Sequence, residues 1–309
     1  MKQKKSKLNQ DTKLFYLYIS PWLIGLTLFT LVPMLLSLTF SFTSVKMASA
    51  TTENINFIGL KNYIDLFTND SDFVRSISNT FVYAGFKVIF TVMIALFIAL
   101  LLNGKVIGRK WFRTMIYLPA IIPVVSVALL WKMIFTGNEM NIANFFLSYL
   151  GLAPVNFFGS ASSSMGTLIF IGVWSGLGPV MLILLASIQG IPQDMVEAAE
   201  LDGVNALSKL RYIIIPTISP TLFFVALTGL IGSLQAYAEI KLLTDGGPGV
   251  STLTMNLLIV RNAFNNLGRK TLGYASAQGW IAFGFSMILT IFFLKTVNKR
   301  VHYETGGDE

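Results

Sequence analysis

The chain has 309 residues, of which 54% are apolar and only 12% are charged, and its net charge is +8. An average soluble domain carries about 25% charged residues, so this composition excludes a soluble enzyme as the default. The aromatic content of 13% excludes an intrinsically disordered chain. No cysteine is present, which excludes disulfides, thiolate metal sites and a cysteine nucleophile. The composition therefore favours a protein that is solvated by a lipid bilayer.

Six apolar stretches are each long enough to cross a bilayer as a helix, which takes about 20 residues. They predict transmembrane helices at 14–45, 76–104, 114–131, about 165–188, 212–238 and 271–294. The first stretch is too long for a cleaved signal segment and lacks a small-residue cleavage site, so we expect it to remain as a helix. The predicted organisation is a tail at 1–13, a first helix at 14–45, a core of five helices at 75–294 and a tail at 295–309.

Lysine and arginine are concentrated before the first span, between the second and third, between the fourth and fifth, and after the sixth. The positive-inside rule places these segments, and with them both termini, on the cytoplasmic side of the cell membrane. This bias accounts for much of the net charge, so a nucleic-acid partner is not needed to explain it. Lys87 is an exception because it lies within the second span. It either extends toward the outer interface or pairs with a group on another helix.

The residues that catalysis would require are largely missing. The only histidine, His302, belongs to the polar C-terminal tail, and there is no cysteine to complete a zinc site or a catalytic pair. The sequence has no G-x-x-x-x-G-K-[ST] loop to hold nucleotide phosphates. The glycine-rich segment 245–249 is interpreted as a tight turn. We therefore predict no catalytic residue, metal or cofactor in this chain, and assign any ATP hydrolysis to a separate subunit.

The cytoplasmic segment 191–216 predicts a short amphipathic helix–turn–helix. Pro192 suits the first position of a helix, acidic residues follow in the part of the helix where its dipole favours them, and Gly203 permits the left-handed turn that ends it. Ala198 and Ala199 would allow another backbone to approach closely, and Glu197 could pair with a cation on a partner. The same spacing is also typical of a surface hairpin that only caps a helical bundle.

This segment resembles the signature of a known family. Glu197-Ala198-Ala199, Gly203, Ile213 and Ile215-Pro216 match the pattern E-A-A-x3-G-x9-I-x-L-P of ABC importer permeases, with Ile215 in place of leucine. Other stretches look like the carbohydrate uptake class 1 branch, the maltose/lactose/glycerol-3-phosphate type: 20–23 (SPWL), 113–119 (RTMIYLP), 187–192 (SIQGIP) and 243–248 (LTDGGP). The resemblance extends from about residue 15 to residue 294.

The resemblance implies an all-α integral membrane protein with six transmembrane helices, the type I ABC importer permease fold. It implies that the segment 191–216 is a coupling loop that inserts into a groove of a cytoplasmic ATPase subunit and transmits ATP-driven closure to the bundle. The residues that it assigns to this coupling are Glu197, Ala198, Ala199, Asp202, Gly203 and Pro216.

Polar residues within the fourth and fifth spans are candidates for the solute pathway, because intramembrane polar groups are costly and typically functional. Aromatic faces and hydroxyl or amide groups are the types that bind sugars, and the resemblance assigns the pathway to these two spans. The candidates are Trp174, Ser175, Gly176, Ser233, Gln235 and Tyr237. The glycines of the fourth span either allow close helix packing or mark a break that lines a cavity.

We therefore predict a permease subunit that forms half of the pathway of an ATP-driven sugar importer. The expected partners are a second homologous permease, two cytoplasmic ATPase subunits and an extracytoplasmic solute-binding protein that contacts segments 46–76 and 237–270. A permease for glycerol-3-phosphate or another small solute remains an alternative. An ion-coupled secondary transporter is disfavoured because the predicted spans contain no aspartate or glutamate at mid-depth.

Overall fold

The structure is a computed structural model, and it describes residues 2–45, 55–104, 106–136, 141–265 and 271–297. Regular secondary structure within these ranges is helical, apart from one isolated bridge between Thr43 and Phe57. Three π-helical turns occur, at Thr27–Leu31, Leu210–Ile214 and Arg261–Asn265. The helices in chain order are α1 (Lys2–Leu26), α2 (Val32–Ser41), α3 (Lys61–Thr68), α4 (Ser71–Asn103), α5 (Arg109–Ile121), α6 (Val124–Phe135), α7 (Ile142–Tyr149), α8 (Ala161–Gln189), α9 (Gln193–Leu201), α10 (Ala206–Lys209), α11 (Ile215–Thr217), α12 (Ser219–Leu234), α13 (Ala238–Leu243), α14 (Met255–Val260) and α15 (Leu272–Val297).

Four helical segments within the described ranges are long and apolar enough to cross a membrane: Leu14–Ser41, Ser71–Asn103, Ala161–Gln189 and Leu272–Lys295. They correspond to the first, second, fourth and sixth predicted spans. The longest, α4, has 33 residues and is about 50 Å long, which exceeds the hydrocarbon thickness of about 30 Å. The number of candidate membrane spans reaches six if each of two bent helix pairs is one span.

The third and fifth predicted spans are each a bent helix pair and not one straight helix. The third consists of α5 and α6, which meet at an angle of 101°. Proline has no backbone N–H and restricts the preceding residue to extended conformations, and Ile122 before Pro123 is extended. The fifth bends by 69° where Ile218 leaves helical geometry between Pro216 and Pro220, and α12 ends at Leu234 rather than continuing to 238.

The chain divides into two compact units, and the larger comprises Asp70–Leu258 with Ala282–Glu309. Its core lies where α4, α8 and α12 pack together around Ala95, Met181, Leu184 and Val225, all nearly inaccessible. The hydroxyls of Ser187 and Thr221 join α8 to α12 at 2.9 Å. This unit contains all the predicted coupling and pathway residues.

The smaller unit comprises Met1–Asn69 with Ile259–Ile281. The Asn62 amide donates hydrogen bonds to the carbonyls of Ser41 and Thr43, at 2.8 and 3.0 Å, and so ties α3 to the end of α2. The Asn262 amide donates to Gln278 Oε1 at 2.9 Å, and both side chains are buried.

Several sequence expectations fall outside the described ranges. These are His302 and most of the tail at 295–309, and residues 46–54 and 266–270 of the two outer segments that we expect to contact a binding protein. The predicted N-terminal tail continues the first helix, since α1 begins at Lys2.

Candidate solute pathway and coupling site

A charged cluster lies within the larger unit, at the middle of α4. Lys87 is the central residue of that helix, and its Nζ lies 3.6 Å from Glu239 Oε1 on α13. The Tyr83 hydroxyl donates a hydrogen bond to the same carboxylate oxygen at 3.1 Å. The Lys87 ammonium also lies 5.2 Å from the centroid of the Tyr83 ring, within the range of a cation–π contact. Of the two possibilities for Lys87, the structure selects pairing with another helix.

The position of Glu239 differs from the sequence expectation. The sequence places this residue at the outer end of the fifth span, but α12 ends at Leu234 and the chain then forms the separate helix α13. This short helix packs against α6 and α8, which brings the carboxylate to the middle of α4. Although Glu239 lies outside the predicted spans, its carboxylate lies beside the central residue of α4. The signal that could have indicated it was Lys87, an unpaired charge in an otherwise uncharged span.

Glycines on α8 make room for this cluster. A Cβ at Gly172 would lie 2.6 Å from the Tyr83 hydroxyl and 3.1 Å from Lys87 Cδ, and one at Gly176 would lie 3.5 Å from Thr91 Cγ2. Farther along, a Cβ at Gly178 would lie 2.6 Å from the Cα of Tyr117. Because α8 is continuous through these positions, the glycines serve close helix packing and do not break the helix.

Two adjacent cavities share Lys87 in their walls. The first, of about 240 Å³, is bounded by α4, α5, α6, α8 and α13, and its polar side chains are those of Lys87, Ser175 and Glu239. The second, of about 300 Å³, lies between α4, α8 and α12 and is lined by Lys87, Thr91, Gly176 and Ser233 among apolar residues. Apolar walls with a few convergent polar groups are typical of small-molecule sites.

The structure brings three of the six predicted pathway residues to these cavities. Ser175 lines the first, and Gly176 and Ser233 line the second. Trp174 instead packs edge-on against Trp131, with ring centroids 5.2 Å apart. Gln235 is the exposed residue that ends α12, and Tyr237 precedes α13. Sequence reasoning missed Tyr83, Thr91 and Glu239.

The loop at 191–216 has the helix–turn–helix that its sequence predicts. Pro192 precedes α9, Asp194 lies in the first turn of α9, and Gly203 follows the helix with φ +70°. The Gly203 and Val204 amides donate to the carbonyls of Glu200 and Ala199 at 3.1 and 3.0 Å. These two bonds form a Schellman motif, which satisfies carbonyls that the helix end would leave free.

The surface of this loop is largely exposed. Glu197 accepts a hydrogen bond from Gln193 Nε2 at 2.6 Å, and its side chain remains accessible. Ala198 and Asp202 are also exposed, whereas Ala199 is buried, so only the first alanine is available to a partner backbone. Leu201, at the end of α9, is 90% exposed. Pro216 lies in α11, just before the bend that leads into α12.

The described part of the chain contains no group of three or more histidine, aspartate or glutamate side chains that could hold a metal ion. Its functional features are therefore a charged, cavity-lining cluster and an exposed acidic helix on the connecting loop.

Comparison with known proteins identifies the family. Residues 87–303 match the family described as "Binding-protein-dependent transport system inner membrane component". The chain belongs to this family. The permease is therefore a multi-pass membrane protein and a transport subunit, not an enzyme. The resemblance to ABC importer permeases of the carbohydrate uptake class 1 branch is confirmed.

Relatives of the permease align over nearly its whole length. It is 35% identical to the Bacillus subtilis "Probable ABC transporter permease protein YesP", with 98% of this chain and 96% of that protein covered. It is 31% identical to the "Trehalose/maltose transport system permease protein MalF" of Thermococcus litoralis, with 94% and 96% covered.

The fold of the permease is also that of a solved importer. A chain of a bacterial alginate ABC transporter, in complex with an alginate pentasaccharide-bound periplasmic protein, superimposes with a TM-score of 0.80 at 23% identity, covering 96% of this chain and 99% of that one. The predicted type I ABC importer permease fold is confirmed.

Proposed function

We propose that the permease is a membrane-spanning subunit of an ATP-driven sugar importer, in which it forms half of the solute pathway. The family membership supports the transport role, and the relative named for trehalose and maltose supports the sugar class. The two cavities beside α8 supply hydroxyl and charged groups within otherwise apolar walls, as sugar binding requires.

The observation that carries the coupling role is the exposed helix α9. It presents Glu197 and Ala198 to solvent and ends in a Schellman turn next to the fully accessible Leu201. Exposed apolar side chains rimmed by charges are typical of protein interfaces. We assign this surface to docking with a cytoplasmic ATPase subunit, with Ala199 buried beneath it and with Asp202, Gly203 and Pro216 setting its geometry.

The complete importer would contain a second homologous permease, two ATPase subunits and an extracytoplasmic solute-binding protein. The positive-inside bias places loop 191–216 and both termini in the cytoplasm. Segments 46–76 and 237–270 would then face the binding protein. Glycerol-3-phosphate, the alternative solute, is disfavoured because Lys87, which is the one basic side chain lining the two cavities within the described ranges, is already paired with Glu239.

Co-purification with matched charge reversals tests this function. The tagged permease, expressed with its neighbouring transport genes, should recover an ATPase subunit whose hydrolysis is stimulated by the solute and its binding protein. Glu197→Lys should lower the recovered ATPase and the solute uptake at least about tenfold, because a buried charge of the wrong sign at an interface is costly.

The control is Lys110→Glu, an equal charge reversal at an exposed position at the start of α5. This variant should leave the amount of recovered ATPase and the solute uptake near their wild-type values. Normal ATPase recovery and uptake in Glu197→Lys would contradict the coupling assignment, as would labelling of residues 191–216 from outside the cell.

A further inference from the structure

The Lys87–Glu239 pair calls for a functional explanation because stability does not supply one. Ionisable groups within membrane spans are costly, and replacing a buried ion pair by apolar side chains is often neutral or stabilising. The two side chains retain 21% and 28% of their exposure, and both line the same cavity. A pair that only joined helices would be better enclosed than this one.

We propose that Lys87 and Glu239, together with Thr91, form a solute-recognition site in the permease that takes a neutral, hydroxyl-bearing solute. This inference rests on the proposed import function, and it assigns recognition to α4 and α13 in addition to the fourth and fifth spans.

The first cavity has the chemistry of a polyol site. The Lys87 ammonium donates hydrogen bonds, the Glu239 carboxylate accepts them, and the Ser175 hydroxyl does both. The remaining walls are apolar and include Pro119, Ile122 and Ile171, which can contact the C–H surface of a sugar ring. Hydrogen bonds to ionised groups are about twice as strong as neutral ones, so the pair would provide the principal directional contacts.

The second cavity contains an independent indication of a ligand. Thr91 is 6% exposed, and its hydroxyl has no hydrogen-bond partner in the described part of the chain. Buried hydroxyls are nearly always satisfied, so one that lines a cavity next to Lys87 points to a partner that enters from outside the chain. A solute that extends from one cavity to the other past Lys87 would supply this hydrogen-bond partner for the Thr91 hydroxyl.

The charge balance selects neutral solutes. Lys87 and Glu239 are 3.6 Å apart and cancel in net charge, and among the residues that the structure describes no other charged side chain lines either cavity. An acidic sugar would have to compete with Glu239 for the lysine. A neutral sugar can instead bridge the two groups, donating to one and accepting from the other.

Transport kinetics of the reconstituted complete importer test the proposal, with labelled maltose and trehalose as neutral probes. Maltobiouronic acid, which is maltose with one primary alcohol oxidised to a carboxylate, is the acidic probe. Lys87→Met and Glu239→Gln should each raise the apparent KM for the neutral sugar at least about tenfold. Glu239→Gln should also increase uptake of the acidic probe relative to maltose, because it leaves Lys87 without its counter-charge.

Thr91→Val separates recognition from structure. Removing a hydroxyl that has no hydrogen-bond partner among the described residues should not impair folding or recovery of the complex, yet it should raise the apparent KM about threefold or more if the solute is the partner. The matched control is Thr228→Val on α12, whose hydroxyl bonds its own helix at Phe224 and lines neither cavity. Lys132→Met on α6 is the corresponding control for the lysine variant. Both controls should keep the wild-type KM.

A direct occupancy measurement is possible because the chain has no cysteine. Ser175→Cys in the permease–ATPase complex should be protected from a thiol reagent by maltose, without the binding protein, and Lys87→Met should abolish that protection.

An unchanged KM in Lys87→Met, Glu239→Gln and Thr91→Val would overturn the proposal. Full recovery of the wild-type KM in the charge-exchanged double variant Lys87→Glu, Glu239→Lys would also overturn it, because that result is expected of a pair that only joins helices. Uptake of the acidic probe alone by the wild-type importer would refute the neutral class. If the wild type takes up none of the three sugars, the proposed sugar import itself fails, and this inference fails with it.

Discussion

Two glycines of the permease, Gly178 in the membrane helix α8 and Gly203 in the loop 191–216, are required for opposite reasons. At Gly178 the backbone is ordinary helix, but a Cβ would lie 2.6 Å from the Cα of Tyr117 and 2.7 Å from the carbonyl of Ile116. At Gly203 no atom lies within 4 Å of a Cβ, but φ is +70°. The membrane region is constrained by what other helices place next to a residue, whereas the loop is constrained by its own backbone.

The same contrast holds for the two lysine–glutamate pairs. Lys87 and Glu239 belong to distant helices and meet at the cavities, whereas Lys209 and Glu200 lie nine residues apart on the loop surface. The contacts of the loop are local, and those of the cluster that lines the cavities are long-range. Three substitutions, in order of decreasing expected effect, test this difference.

The largest effect is expected for Gly178→Leu. The atoms that its side chain would meet belong to the backbone of α5 and cannot move aside without separating α5 from α8. Overpacking of this kind costs about 1–3 kcal/mol and often more, so we expect a lower unfolding temperature in detergent and reduced recovery of folded protein. Gly166→Leu on the same helix is the control, because no atom lies within 4 Å of its Cβ. Equal unfolding temperatures for the two variants would contradict the close approach.

A smaller, local effect is expected for Gly203→Val. A β-branched residue in the left-handed region costs about 1–2 kcal/mol, which should loosen the turn between α9 and α10 without affecting the membrane helices. Hydrogen exchange should become faster in residues 193–209, while the unfolding temperature stays within error of wild type. Gly203→Asn should behave nearly as wild type, because asparagine tolerates positive φ. If Asn and Val prove equally disruptive, the conformational explanation is wrong.

The smallest effect is expected for Lys209→Met. Its salt bridge to Glu200 measures 2.5 Å, but the glutamate side chain is 62% exposed, and solvent-exposed ion pairs contribute about 0–1 kcal/mol. We expect no measurable change in unfolding temperature or in exchange rates of α9. A clear loss of protection across the loop would show that the pair fixes the angle between α9 and α10.

The difference between the two regions also explains what the sequence could predict. The loop was predictable because its signals act within a few residues: Pro192 before α9 and Gly203 after it. The structure adds Asn205, whose side chain accepts a hydrogen bond from the Ser208 amide at 2.8 Å at the start of α10. Gly203 also belongs to the signature, with Glu197-Ala198-Ala199 and Ile215-Pro216, that carried the family resemblance.

The solute pathway was only partly predictable. Lys87 was visible as a charge within a span, but its partner Glu239 comes from a short helix just after the predicted fifth span, and Glu239 is 156 residues from Tyr83, which donates to it. Hydropathy likewise could not distinguish one straight third span from the pair α5 and α6, because both have the same composition.

The bend between α5 and α6 has a consequence for hydration of the pathway. Pro123 has no N–H and therefore cannot donate to the carbonyl of Pro119, four residues earlier, and Pro119 lines the cavity that holds Lys87 and Glu239. An unpaired carbonyl within a bilayer costs several kcal/mol, so we expect water to occupy this position whenever cargo is absent. An entering solute would then displace this ordered water and replace its hydrogen bond to the carbonyl, so the carbonyl would not be left without a partner during passage.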